Sequence, residues 1–280
     1  MNLTDLAAKI KKSPISRSIL VYGAPKTGKT RLVGTVAALP SVKRVFWFDG
    51  ENGAETLLHM GLSEEALQKV TLFQIPDTRA VPRFIETVLK AFTSKTPVSI
   101  CDAHGKVGCI ECQKAGAGSA EIFIPSLTSQ DVVVVDSGSQ LGTSALALAM
   151  IEAGASPNAK PSWDEYTVSN GELITILNVM QAAATCTFIL ITHSLPIEEE
   201  YNKVKRDRLI PLMGTKALSV NVAKYFGSVI LTEVKLKKHT AGSSSTYRAD
   251  AVTGSRTGVS LETEGAVTLA TIMGELNMKT

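Results

Sequence analysis

The chain has 280 residues, 44% of them apolar and 20% charged, with a net charge of +3. That balance suits a folded globular protein, excludes a disordered polyelectrolyte, and by itself announces no nucleic-acid partner. No apolar run approaches the roughly 18 residues that span a bilayer, and residues 1–18 lack the apolar core of a secretory leader, so a cytoplasmic protein without a membrane partner is expected.

In chain order, Ile19-Leu20-Val21-Tyr22 reads as a buried strand that runs into Gly23-Ala24-Pro25-Lys26-Thr27-Gly28-Lys29-Thr30. This satisfies G-x-x-x-x-G-K-[ST] in full, and the helical pattern over 31–39 supplies the setting the motif needs. Backbone N–H groups of such a loop wrap a β-phosphate, and the following helix aims its positive end at it. Lys29 is expected to bridge the β- and γ-phosphates of ATP, Thr30 to give its hydroxyl to Mg²⁺, and Arg31 to open the helix beside them.

A second strand over 42–48 closes on Asp49-Gly50-Glu51-Asn52-Gly53. A hydrolase needs a base or water-positioning group near the γ-phosphate. Glu51 reaches that place if its strand neighbours the phosphate-loop strand, and is otherwise a solvated acidic turn. Helices are expected over 54–60, 64–69 and 81–92, with a strand over 70–75.

Residues 95–119 break this rhythm and read as an insertion. Cys101-x2-His104-x4-Cys109-x2-Cys112 offers three thiolates and one imidazole, the donor set of a structural Zn²⁺ site that folds a small knuckle. A loop of reduced thiols is the alternative. Asp131-Val132-Val133-Val134-Val135-Asp136 then reads as a central strand, apolar on both faces and ending on a carboxylate. A strand-end Asp also serves as a cap, but with a phosphate loop upstream Asp136 is placed on the water shell of Mg²⁺.

Helices follow over 139–153 and through Leu173, Leu177, Met180 and Ala184, with Trp163 and Tyr166 read as core or interface packing in preference to base stacking. The strand over 187–192 delivers His193, either a contact to the γ-phosphate or a satisfied structural imidazole. Residues 201–208, with Lys203, Lys205, Arg206 and Arg208, read as an exposed basic loop after three glutamates. The tail suggests strands over 229–236, 246–251 and 258–262 and a helix over 266–276. The whole is α/β: one domain, 1–280, with a mainly parallel sheet, helices on both faces and antiparallel C-terminal strands.

The phosphate loop, Phe46-Trp47-Phe48-Asp49-Gly50-Glu51, Val134-Val135-Asp136-Ser137 and Ile191-Thr192-His193-Ser194 together resemble RecA-like P-loop ATPases. The chain is most similar to the phage-encoded Sak group of single-strand annealing and recombination proteins, over about residues 15–262. The resemblance implies an ATP hydrolase in which Glu51 activates the attacking water and His193 senses the γ-phosphate. It implies a homo-oligomer, ring or filament, in which Lys235 or Lys237 acts on a neighbour's site. It also implies single-stranded DNA as a partner in recombination, repair or replication, with DNA-stimulated hydrolysis and a single-strand DNA-binding protein as a further partner. Arg256 lies in the family's basic turn, without the usual Lys-Asp-Arg order. A phosphotransferase acting on a small molecule and a non-hydrolysing ATP-binding interaction module are the competing readings.

Overall fold

The computed structural model describes residues 18–156, 159–182, 185–201, 204–243, 247–255 and 262–264. The strands are β1 (Ser18–Gly23), β2 (Arg44–Asp49), β3 (Val70–Gln74), β6 (Asp131–Asp136), β7 (Thr187–Tyr201) and β9 (Ser228–Lys235), with β4 (Val98–Cys101) and β5 (Ser119–Ile122) in the insertion. β8 (Val204–Pro211), β10 (Lys238–Gly242), β11 (Gly254–Ser255) and β12 (Glu262–Glu264) complete the set among the described residues. The main sheet runs β12-β10-β9-β1-β7-β6-β2-β3, parallel from β9 to β3 and antiparallel at β10, β11 and β12. This is an α/β core, a mainly parallel sheet with helices on both faces and antiparallel strands at one edge.

The alternation of side chains along each parallel strand builds two cores, one per face. Ile19, Val21, Val45, Trp47, Val132, Val134, Ile189 and Ile191 face one way. There they meet α1 (Lys29–Gly34) and the 3₁₀ turns Thr35–Ala38 and Gly53–His59, with α2 (Glu64–Gln68) beyond. Leu20, Tyr22, Phe46, Phe48, Val133, Val135, Phe188 and Leu190 face the other way, toward α3 (Arg83–Thr93), α5 (Gly138–Glu152), α6 (Trp163–Ala182) and α7 (Lys216–Asn221). Each of these strand side chains is 5% exposed or less. At about 1.5–3 kcal/mol per buried aliphatic or aromatic side chain, these two layers dominate the folding free energy.

Register is pinned at the start of β6. Arg44 donates from Nε to Asp131 Oδ1 at 2.7 Å and from Nη2 to Oδ2 at 2.9 Å, opposite each other in the β2–β6 ladder. Asp131 is buried, and its carboxyl lies below the usual range: burial raises it, but the Arg44 and Thr128 hydrogen bonds outweigh that. The pair fixes which residues stand at the far ends of both strands, and those are Asp49 and Asp136.

Several expectations change. β1 and β2 are not neighbours, because β7 and β6 lie between them. β7 does not stop at Thr192 but continues to Tyr201 and pairs antiparallel with β8, so residues 204–208 of the expected basic loop form a strand instead. Apolar Ile197 and Ile210 anchor the arm's base in the core, while Lys205–Glu198 (2.8 Å) and Arg208–Glu199 (3.1 Å) bridge its strands. Residues 247–250 turn rather than extend, tied by Arg248 to Asp250 and Glu233, and Ala251 forms a single bridge to Leu209. Lys235 and Lys237 do not share a strand face: Leu236 (φ 50) and Lys237 (φ 64) form the two-residue turn that closes the β9–β10 hairpin. The expected helix over 266–276, Lys203, Ala184, Arg256 and residues 258–261 lie outside the described residues.

Candidate functional site

The site forms along the carboxyl edge of the parallel strands, where β1, β6 and β2 end and β7 passes through His193. Gly23 pairs with His193, Asp136 pairs with Ile191 on one side and with Asp49 on the other. Ala24 to Gly28 form the loop between β1 and α1. Gly28 caps α1 at φ 88, a left-handed conformation that a side chain would strain, and Lys26 sits at φ 64. Pro25 and Arg31 are exposed, and Thr27 ties the loop to β9 through Thr232 (2.8 Å).

Lys29 lies inside the curl of this loop. Its Nζ donates to Gly23 O (3.1 Å) and Ala24 O (2.9 Å), and burial pulls its pKa below the usual lysine value. Thr30 donates from Oγ1 to Asp136 Oδ2 at 3.0 Å. Burial, reinforced by nearby Asp49, pushes the Asp136 carboxyl up to about 7. A buried carboxylate beside a phosphate-loop hydroxyl lacks a strong cation of its own. Those residues fit Mg²⁺, which would restore the ionised form.

Glu51 reaches the site by a route the sequence did not show. Its strand is three strand spacings from β1, but the loop after β2 folds back over the sheet edge: Gly50 N–H donates to Asp136 O at 2.7 Å. Asp49, fully buried, accepts from the backbone of Glu51 (3.0 Å), Gly53 (3.1 Å) and Ala54 (2.9 Å). It therefore shapes the loop that carries Glu51. Ser137 donates its hydroxyl to Glu51 Oε1, and His193 Nε2 stands 3.4 Å from Oε2. Burial raises the Glu51 pKa, but these two partners and Lys29 more than offset it, leaving it lowered and the carboxylate ionised at neutral pH.

His193 joins the two halves. Its Nδ1 is 3.3 Å from Lys29 Nζ, and an ammonium is only a donor, so Nδ1 accepts and Nε2 carries the proton toward Glu51. Ser139 fixes the backbone, accepting from His193 N–H at 2.9 Å. Ser137 and Ser139 were missed in the sequence; both follow Asp136 within the first turn of α5, a position that motif spacing alone does not mark.

The insertion holds the other cluster. β4, β5 and α4 (Ile110–Ala115) bring Cys101, His104, Cys109 and Cys112 together, with ligand atoms within 4.8 Å of one another. His104 Nδ1 lies 3.2 Å from Cys112 Sγ and 3.5 Å from Cys109 Sγ. Tetrahedral zinc with bonds of about 2.0–2.3 Å sets its donors roughly 3.3–3.8 Å apart, so the donor set and spacing fit. Without a cation, burial and the neighbouring thiols push Cys112 up to about 12, and three thiolates do not coexist.

Lys235 bridges Glu233 (3.2 Å) and lies 4.6 Å over the Tyr247 ring; Lys237 is exposed in the hairpin turn, and neither touches the phosphate loop of its own chain. Trp163, expected to pack, is 85% exposed. With Tyr166 and Val220 it lines a groove of about 860 Å³ between α6 and α7. No helix among the described residues is long and apolar enough to cross a membrane.

No protein-family model and no curated protein sequence matches the chain. Among solved structures it is similar to a prototypical ATPase from the type III secretion system of pathogenic bacteria, at 14% identity and TM-score 0.44 over 78% of this chain and 52% of that one. It is also similar to the assembled ATPase EscN, in complex with its central stalk EscO from enteropathogenic E. coli, at 15% identity and TM-score 0.46 over 80% and 43%. The chain thus spans about half the length of these structures.

Proposed function

We propose that this chain is a Mg²⁺-dependent ATPase of RecA-like type that works as a homo-oligomer on single-stranded DNA. The observation that carries the hydrolase is the contact chain Lys29–His193–Glu51 beside Thr30–Asp136, at the mouth of the phosphate loop. Lys29 and the loop amides would hold the triphosphate, and Thr30 and Asp136 would hold Mg²⁺, which would supply charge neutralisation at the phosphates. Glu51 accepts a proton from the attacking water at Oε2, and Ser137 keeps Oε1 aimed. His193 touches both Lys29 and Glu51, so loss of the γ-phosphate changes what it bonds.

The β7–β8 arm grows directly out of His193, and Leu212 N–H donates back to His193 O at 2.8 Å. Gly214 and Thr215, two residues farther on, line the Trp163 groove. An exposed tryptophan next to Tyr166 suits base stacking, worth about 1–3 kcal/mol per base. Exposed Lys205 and Arg206 suit the backbone phosphates. The tip of the β9–β10 hairpin suits contact with a second copy: Leu236 is 96% exposed between Lys235 and Lys237. The recombination role rests on the sequence resemblance to the Sak group, and the reading of 1–280 as one domain on a sequence without an internal repeat or long linker.

Phosphate release measured with and without single-stranded DNA tests the proposal. Stimulation that Trp163→Ala abolishes supports it. Turnover that requires a small-molecule acceptor, or no turnover at all, overturns it.

A further inference from the structure

The Cys/His knuckle does not hang free of the hydrolytic loop. Its tight turn, closed by Gly105 N–H donating to Cys101 O (2.9 Å) and Cys101 N–H donating to Lys106 O (3.2 Å), carries His104 and presses on the end of β3. Gly105 takes φ +58, and a Cβ there would stand 2.7 Å from both Gln74 O and Ile75 Cα. The Gln74–Ile75 backbone lies against the turn at that point, with Ile75 Cγ1 beside it at 2.9 Å from the same Cβ position. From the other side the buried Thr87 hydroxyl of α3 donates to Gly105 O at 2.7 Å.

Residues 74–75 in turn hold the Glu51 loop at two points. Ile75 N–H donates to Asp49 O at 2.9 Å, and the Asp49 carboxylate organises the amides of Glu51, Gly53 and Ala54. Gln74 donates from Nε2 to Asn52 Oδ1 at 3.0 Å, where Asn52 sits in the left-handed region at φ 57. The path from the knuckle to the hydrolytic carboxylate is therefore Gly105 to Gln74–Ile75 to Asp49 and Asn52 to Glu51.

We propose that the zinc-loaded Cys101–His104–Cys109–Cys112 knuckle, acting through Gln74 and Asn52 as positioning residues, holds Glu51 in hydrolytic register. This rests on the ATPase reading above. The metal fixes the 101–106 turn, and the turn fixes the end of β3. A water-activating carboxylate displaced by about 1 Å loses on the order of a hundredfold in rate, whereas triphosphate binding at the phosphate loop does not need it. Zinc loss thus lowers kcat and spares KM.

The test uses the full chain, the Cys109→Ser/Cys112→Ser double variant, Gln74→Ala, and the combination. Metal content, amide hydrogen exchange at 51–54, and kcat and KM for MgATP are measured on each. The double variant is expected to lose zinc, to exchange the 51–54 amides about tenfold faster while α1 stays protected, and to drop kcat at least tenfold at unchanged KM. Gln74→Ala keeps equimolar zinc yet reproduces part of the kcat loss, and adds nothing on top of the double variant. A wild-type chain without zinc overturns the proposal. So does a zinc-free folded variant with unchanged exchange and kcat, or a zinc-loaded Gln74→Ala with wild-type kcat should the double variant not fold. If the wild-type chain hydrolyses no ATP, the functional reading fails, and the exchange at 51–54 alone decides the coupling.

Discussion

Replacing Glu51 by glutamine isolates the proposed base from everything else the site does. The amide matches the carboxylate in size, so Ser137 still donates to Oε1, and the loop keeps its Asp49 scaffold, which touches only backbone amides. What is lost is a proton acceptor and one negative charge. General-base assistance is worth roughly 10²–10⁴-fold, or about 3–5 kcal/mol of activation free energy. The charge works in the opposite direction on binding: Glu51 helps raise the Asp136 carboxyl, so its removal eases ionisation of the metal ligand. The side chain is 31% exposed, so solvent screens its charge interactions and their loss should perturb stability little. Glu51→Gln should therefore bind fluorescent ATP as tightly as the parent or slightly tighter, melt within a few degrees of it, and hydrolyse at most about a hundredth as fast. Single-turnover phosphate release at saturating Mg²⁺ reads the last number directly. Hydrolysis within threefold of the parent would refute the assignment of Glu51 as the base.

Lys29→Ala removes a charged donor to the phosphates, worth about 1.5–3 kcal/mol, so equilibrium titration should show ATP affinity falling roughly ten- to a hundredfold; unchanged affinity would detach Lys29 from the nucleotide. The Asp136 carboxyl, raised to about 7 by burial and by Asp49, holds its proton in the folded chain over a range where the unfolded carboxyl has lost it. Its contribution therefore makes the metal-free protein less stable as pH rises from about 4 to 7. Mg²⁺ needs the ionised form, so calorimetric Mg²⁺ affinity with a non-hydrolysable nucleotide should be about tenfold weaker at pH 6 than at pH 8. A flat profile would count against Asp136 as the ligand.

The parts of this site that were legible in the sequence are those in which local chain geometry and chemistry coincide. The phosphate loop is local: strand, turn and helix are contiguous, so eight residues specify the cradle and place Lys29 and Thr30 in it. Asp136 was legible for a similar reason, since four buried valines fix a central strand and the next residue must lie at its end. Cys101 to Cys112 declared themselves by donor type and spacing. What could not be read was decided by strand order and by pairing between distant segments. Residues 201–208 looked like a basic loop because the Lys205–Glu198 and Arg208–Glu199 ion pairs cross between strands that only the hairpin brings together. Lys235 and Lys237 looked like a strand face because nothing in Leu236-Lys237 announces a turn with two positive φ angles; such turns are usually built with Asn or Gly. Trp163 looked like core or interface packing; its 85% exposure removes the core alternative, and it lines a groove with residues of a helix some fifty positions later.

The strand order also explains how His193 comes to stand between Lys29 and Glu51. Between β1 and β2 lie β7 and β6, so three spacings of about 4.8 Å, roughly 14 Å, separate the phosphate-loop strand from the strand that carries Glu51. The Glu51 loop covers part of that distance by folding back onto Asp136, and His193 touches both Lys29 and Glu51. β7 stands directly beside β1, and its residue in register with Gly23 rises into the gap at the height of both groups. A residue there must accept from an ammonium on one side and donate to a carboxylate on the other without carrying a net charge that would favour either. A neutral imidazole does both with its two ring nitrogens, and an amide side chain is the other common group that can. An aliphatic residue at 193 would leave Lys29 and Glu51 without a common partner, which ties the identity of this position to the topology of the sheet as well as to the chemistry of phosphate.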